Sequence, residues 1–406
     1  MTDRTPGELE DRIRDAYQSA ARTVQAQTLR RISPMLTGGS VPPRRRINAF
    51  APIAAAIAVI VAIGLSVALP RLLTGDNPSP NPPARGTTAA APGHYPPFQV
   101  VVTQNQSYSQ TALTVVSVAT GQVMSRLAPP SWHDAQWSAV AATADPTRFI
   151  VGAATTGSEW SAPTRLYTLT LSARGAVIRL APLAVPSLPG AVTSMAASAD
   201  GSTVAYTMRA VGGVWEAGVI TGGKTRRWSA SDPTIQGINN VSVSSDGDMI
   251  AFTSSGLAKD GVEVTAWVLS AGSPSGNVTA RARKVYDHIY VGAKTINTLY
   301  SAVISPDAST LYLDAAIMSA GGRTANMVTA YSTTSQALPR TILTWHSSYP
   351  ATLTPVGGTP LILASTPLVF NPAGNLTAYL INPATRTRTT LRLRGIPHRQ
   401  YVQFAW

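Results

Sequence analysis

A four-residue turn signature recurs four times in this chain, and no other feature restricts the fold as tightly. Thr143-Ala144-Asp145-Pro146, Ser198-Ala199-Asp200-Gly201, Ser244-Ser245-Asp246-Gly247 and Ser305-Pro306-Asp307-Ala308 share one form. Four residues after each Asp an apolar run begins: Phe149-Ile150-Val151, Val204-Ala205-Tyr206, Ile250-Ala251-Phe252 and Leu311-Tyr312-Leu313. The Asp residues at 145, 200, 246 and 307 stand 55, 46 and 61 residues apart, periods that suit propeller blades with loop insertions. An Asp side chain accepts backbone N–H groups of a tight turn and a following Gly supplies positive φ, so each copy joins two antiparallel strands. Thr354 to Leu363 reads as a fifth, degenerate copy. The Asp is a turn former first, because it recurs wherever the architecture needs a turn.

A second hairpin follows in each unit. Residues 113–127, 166–180, 216–228 and 377–393 show two strands around a short turn, and 264–285 and 327–343 read likewise. Two hairpins make a four-stranded blade, and blades bury one another's faces only when the ring closes. The last residues, Tyr401 to Trp406, read like the innermost strand that elsewhere precedes the Asp turn, as in 136–145, and the unit starting at Phe98 lacks such a strand. The expected fold is therefore all-β: a six-bladed propeller over 98–406, closed by the C-terminal strand, or seven-bladed if 256–298 holds a further hairpin. The S/T-x-D-G turn followed by apolar-Ala-apolar is similar to that of TolB-like (WD40-like) propeller repeats of bacterial periplasmic and surface proteins, and covers most of 98–406. That resemblance implies a protein- or ligand-binding platform; in some peptidases such blades form a lid beside a hydrolase domain. It speaks to fold and not to activity.

Upstream, Ala49 to Leu69 is a run of 21 uncharged residues. As a helix it spans about 31 Å, the hydrocarbon thickness of a bilayer. Arg44, Arg45 and Arg46 precede it, whereas only Arg71 and Arg85 fall in the next 25 residues. The positive-inside rule then predicts a single-pass protein of the cell membrane, with residues 1–46 cytoplasmic and the larger C-terminal part extracytoplasmic. Residues 74–97, rich in Pro, Ala, Gly and Thr, read as an extended linker. Thr5-Pro6-Gly7-Glu8 has the form of a capping box and predicts a helix over 6–32. Its apolar stripe, Leu9, Ile13, Tyr17, Ala20 and Val24, suits docking of a cytoplasmic protein or a second copy at 5–32, or a surface helix near the inner leaflet. In layout this resembles bacterial membrane-bound anti-sigma factors, without the His and paired Cys of the zinc-containing members.

The formal net charge is +13. Residues 1–46 hold nine Arg against five acids, and residues 71–406 hold 23 Lys plus Arg against 14 acids, scattered along the sequence. Scatter of this kind argues against a tracked nucleic-acid backbone and suits general attraction to anionic surface polymer or lipid. The chain has no Cys, which removes disulfides, Cys-ligated zinc and thiol chemistry. It also contains no G-x-S-x-G elbow, Walker loop or H-E-x-x-H, so neither an enzyme nor a cofactor is expected.

His94 lies in the linker, and the other four His are expected in connections between blades, on the face around the channel mouth. These are His133, His288, His346 and His398, with Trp132, Asp134, Asp287, Trp345 and Arg399 beside them. Aromatic bodies with polar tips suit a recognition face for a protein, glycan or small ligand. Imidazole beside carboxylate also suits zinc or a charge change near pH 6, while loops gather polar residues in any case. Trp137, Trp215, Trp228, Trp267 and Trp406 are expected to pack within or between blades. Two other functions stay open: a membrane-bound regulator of a cytoplasmic partner such as a sigma factor, and a cell-surface hydrolase acting at the channel mouth.

Overall fold

The computed structural model describes residues 97–105, 111–132, 134–155, 162–210, 212–259, 261–290, 296–318, 324–347, 351–365, 375–394 and 399–406. All belong to the second of two compact units, Pro78–Trp406. The stripe Leu9, Ile13, Tyr17 and Val24, the apolar run 49–69, the linker to residue 96, His133 and His398 lie outside the described residues. Among the described residues no helix is long and apolar enough to cross a membrane.

These residues form six antiparallel sheets. From the innermost strand outward, blade 1 is Arg399–Ala405, Phe98–Asn105, Thr111–Ser117 and Val123–Leu127, and blade 2 is Ala135–Ala142, Arg148–Thr155, Thr164–Leu171 and Val177–Pro182. Blade 3 is Gly190–Ala197, Thr203–Ala210, Trp215–Thr221 and Lys224–Ser229; blade 4 is Ile235–Val243, Met249–Ala258, Gly261–Ser270 and Arg283–Tyr290. Blade 5 is Ile296–Ile304, Thr310–Met318, Thr324–Ser332 and Arg340–Ser347, and blade 6 is Thr352–Pro355, Ile362–Ser365, Asn375–Asn382 and Thr387–Arg394. Each innermost strand touches those of both neighbouring blades, so the six sheets surround one axis.

The count is six, not seven, and residues 256–298 show why. The second and third strands of blade 4 run on to a tight turn at Ala258↔Gly261, and the next connection leaves the blade altogether. Its Gly276–Asn277 lies parallel to the outermost strand of blade 3, pairing with Trp228 and Ser229, before a single helical turn at Val278–Arg281. There the Trp228 indole N–H donates to the Pro274 carbonyl at 2.8 Å and the Arg226 guanidinium to that of Ala271 at 2.9 Å.

The core explains why the ring must be complete. Among the described residues the buried apolar side chains fall into six clusters, one at each junction between blades. Trp137, Phe149 and Leu169 meet Val100, Leu113 and Val115 between blades 1 and 2, and Trp228 and Val219 meet Phe252 and Trp267 between blades 3 and 4. Both faces of a blade are apolar and each is covered only by a neighbour. The last junction is closed by Arg399–Ala405, which pairs with Phe98–Asn105 from Val100↔Ala405 to Asn105↔Arg399. Trp406 then sits 2% exposed against Val356, Leu363, Ala378 and Leu380 of blade 6, and its carbonyl accepts the Gly357 N–H at 2.6 Å.

The Asp turns behave as their chemistry requires. In blades 3, 4 and 5 the serine hydroxyl donates to the Asp two residues on, at 2.6–2.7 Å, while the serine oxygen accepts the N–H five residues on at 2.9–3.0 Å. Gly201 and Gly247 take the positive φ of the turn, at 72° and 82°. Blade 5 has Ala308 at that position with φ 59°, where its Cβ costs about 1–2 kcal/mol. Replacing Ala308 with Gly should therefore raise the unfolding free energy by about 1 kcal/mol in denaturant titration, even though Gly loosens an unfolded chain. An unchanged or lower midpoint would show that this turn carries no strain.

Candidate functional site

Strand direction gives the ring two unlike faces. The Asp turns and the turns between third and outermost strands lie on one; the connections between blades, and those between second and third strands, lie on the other.

On the Asp-turn face the backbone is bonded from blade to blade. Ala144 N–H donates to Ala199 C=O at 2.7 Å, Ala199 N–H to Ser245 C=O at 3.0 Å, and Ser245 N–H to Pro306 C=O at 3.0 Å. Pro306 has no N–H, so blade 5 cannot pass the pattern on to blade 6. Blade 6 has Gly357-Gly358 in place of the Asp turn, and these pack against Thr143 and Ala144 of blade 2 so tightly that a Cβ on Gly357 would collide with the Thr143 carbonyl. Behind these turns the lining mixes apolar and polar groups, with Val140, Met195, Val243, Val303, Pro355 and Ala405 each supplied by a different blade beside Ser245, Ser305 and Thr354. A cavity of about 60 Å³ remains, room for roughly four waters. Exposed Asp145, Asp200, Asp246 and Asp307 surround this end. Their carboxyls are held below the usual range, Asp145 first by the Thr147 hydroxyl, Asp246 by that of Ser244 and Asp307 by that of Ser305. Asp200 is brought to about 2, chiefly by the Ser202 N–H.

Towards the other face most innermost strands carry a one-residue bulge, leaving Ser138, Thr193, Asn240, Tyr300 and Val402 outside the ladder. An innermost strand has no ladder partner on its channel side, so its N–H groups must bond elsewhere. Serines of the preceding blade accept several of them: Ser194 from Val241 at 3.1 Å, Ser242 from Ile304 at 2.9 Å and Ser301 from Leu353 at 2.6 Å.

Of the residues singled out from the sequence, the described Asp287, His288, Trp345 and His346 lie away from the channel mouth, on the outermost strands of blades 4 and 5. Trp132 and Asp134 lie in the connection entering blade 2, with Asp134 exposed at φ 50°. Trp132 is half-buried, its indole N–H donates to the Tyr167 hydroxyl at 2.9 Å, and the exposed Arg165 guanidinium lies 4.5 Å over its ring. Tyr167 in turn meets Trp137 edge-on at 6.0 Å. Arg165 and Tyr167 were not singled out from the sequence, because they come from the third strand of blade 2 and carry no local signal of this contact.

His288 and His346 require a correction. Neither is in a connection: each belongs to an outermost strand, of blades 4 and 5 respectively. Three strand spacings, about 14 Å, separate such a strand from the channel wall. His288 is exposed and stacks on Tyr286 at 6.5 Å, and Asp287 accepts from Lys284 at 2.9 Å. Trp345, read as part of a recognition loop, is buried between blades 5 and 6 against Tyr379 at 5.6 Å. Arg399 opens the innermost strand of blade 1 opposite Asn105. Trp137, Trp228, Trp267 and Trp406 are buried between blades, as expected. No group of three or more His, Asp or Glu that could hold a metal occurs among the described residues.

One buried group had no warning in the motifs. Asp314, in the second strand of blade 5, is completely buried and neither carboxyl oxygen has a hydrogen-bond partner. It lies across the ladder from Ser301 and Val328, on the side facing blade 6. Burial pushes its pKa well above the ordinary carboxyl range, which keeps it protonated.

No family description and no curated protein matches the chain. Solved structures match in fold. TolB from Acinetobacter baumannii is 14% identical with a TM-score of 0.44, over 78% of this chain and 67% of that one. The nidogen/laminin complex is 8% identical with a TM-score of 0.44, over 76% and 97%, and hydrazine synthase of Kuenenia stuttgartiensis 15% with 0.42, over 80% and 90%. At these values the likeness carries no further argument.

A raised carboxyl pKa fixes the sign of a pH effect. The folded protein keeps the Asp314 proton above about pH 4, where the unfolded chain has released it, so this residue makes stability fall as pH rises towards its folded pKa. Against an Asp314→Asn variant, the parent should lose stability as pH rises above about 4, by up to about 1.4 kcal/mol per pH unit in urea unfolding. Parallel curves for the two proteins would mean that Asp314 titrates normally.

Proposed function

We propose that this chain is a non-enzymatic, single-pass membrane protein whose extracytoplasmic propeller is a binding platform for a protein ligand, contacted through the face bearing Trp132, Asp134 and Arg165. The observation that carries the contact surface is the exposed Arg165 guanidinium 4.5 Å over the Trp132 ring, with that indole anchored on Tyr167. Trp, Tyr and Arg are the side chains that most often dominate protein contacts. A Trp already held by a hydrogen bond and a stacked cation loses little further freedom on binding. Ringed strands hold such a pair rigidly, while the blade connections around it vary without disturbing the core. The uncharged run 49–69 behind Arg44, Arg45 and Arg46 supports the anchoring and its direction. In this reading residues 5–32 offer their apolar stripe to a cytoplasmic partner.

The absence of Cys allows a clean test. In intact cells an impermeant maleimide should label Ala337→Cys, and should label Ser19→Cys only after lysis. A photo-crosslinking residue at Trp132 should give a discrete protein adduct that Arg165→Ala reduces at least tenfold, whereas the same group at exposed Ala337 should give none. Labelling of Ser19→Cys from outside refutes the anchoring, and equal adducts at 132 and 337 refute the contact face.

A further inference from the structure

The basic residues that look scattered in sequence are collected by the fold. The six outermost strands carry eleven Lys and Arg against one acid, Asp287, while the six innermost strands carry one, Arg399, and no acid. Charged residues on an edge strand, Lys above all, guard against sheet-to-sheet aggregation, yet nine of these eleven are Arg. An eleven-to-one bias needs another reason.

The density is greatest across blades 3 and 4. Lys224, Arg226 and Arg227 stand exposed on the outermost strand of blade 3, and Arg281, Arg283 and Lys284 stand exposed where the bridging segment of blade 4 leaves it. Gly276–Asn277 paired with Trp228 and Ser229 joins the two blades along the rim; Lys224 and Arg226 share the side of Trp228, which faces blade 4, and Arg283, opposite Val268, stands on the side facing blade 5. Arg227 is compensated by Glu216 at 3.5 Å, and Lys284 by Asp287 at 2.9 Å and Glu263 at 3.6 Å. Among the described residues Lys224, Arg226, Arg281 and Arg283 have no carboxylate at ion-pair distance.

We propose that this rim, centred on Lys224, Arg226, Arg281 and Arg283, binds a linear polymer of phosphate groups. Three of the four are Arg, whose fork matches a phosphate with two parallel hydrogen bonds. The neighbouring Trp228 and Trp267 are buried, Tyr286 and His288 stack on one another and Arg209 lies over the Trp215 ring, so the aromatic groups described in this sector are already engaged and the polymer is base-free. Basic groups continue on all six outermost strands, and a flexible chain follows a curved rim where a flat bilayer touches one sector. The surface lies on the circumference, apart from the Trp132 face, and does not rest on the platform reading.

The test uses full-length protein and fluorescently labelled polyphosphate, with binding followed by anisotropy from 50 to 300 mM salt. The Lys224→Glu/Arg283→Glu variant should bind about tenfold more weakly, and its slope of log affinity against log salt should fall by about 1.4, roughly 0.7 for each lost phosphate contact. A charge-matched control, Arg148→Glu/Lys259→Glu, should shift affinity less than twofold. If the first variant melts early, Lys224→Gln/Arg283→Gln should give a smaller loss in the same direction with an unchanged melting temperature. Equal losses in test and control, no loss in either, or preference for phosphatidylglycerol vesicles or single-stranded DNA over polyphosphate of equal charge would overturn the proposal.

Discussion

The ladder between Arg399–Ala405 and Phe98–Asn105 is the contact on which the rest of the propeller depends. No blade owns a core, because the buried side chains lie at the six junctions. Opening one junction exposes two apolar faces together. Bringing together strands some 300 residues apart costs about 5 kcal/mol of chain entropy, against which stand the six paired positions, buried Trp406 and the Gly357 N–H on its carbonyl. The tight approach of Gly357 to Thr143 places the degenerate turn of blade 6 within the same closure.

The same ring sets what each surface offers a ligand. Around the axis three innermost strands spend a channel-side N–H group on a serine of the preceding blade, and the lining behind the Asp turns mixes apolar side chains with serine and threonine. Charge is displaced outward from there, with carboxylates on the Asp turns and cations on the outermost strands. In the proposed reading the contact surfaces are the face bearing Trp132 and the rim.

The sequence disclosed most of the fold because its signals were local. An Asp turn declares itself within ten residues, a hairpin within fifteen, and the closing strand by comparison with 136–145. The candidate site was much less legible. Outermost strands such as Lys224–Ser229 are largely exposed on both faces, so they lack the alternation that marks a strand, and polar ones read as loops. That is how His288 and His346 came to be expected at the channel mouth. Trp345 looked like a loop aromatic until its pairing with Asn326 placed it in a ladder. Arg165 stacks on a residue 33 positions away, Asp314 is one acid in an apolar strand, and the basic rim exists only once strands from six blades are brought side by side. Contacts of that kind are properties of the ring and not of any stretch of chain.

Amide hydrogen exchange of residues 399–406 tests the closure most directly. Their N–H groups should exchange as slowly as those of the innermost strands Ala135–Ala142 and Ile235–Val243 and lose protection at the same denaturant concentration, as one cooperative unit. Exchange of this segment at the rate of an unstructured peptide, while the other innermost strands stay protected, would contradict a ring closed by its C-terminal strand.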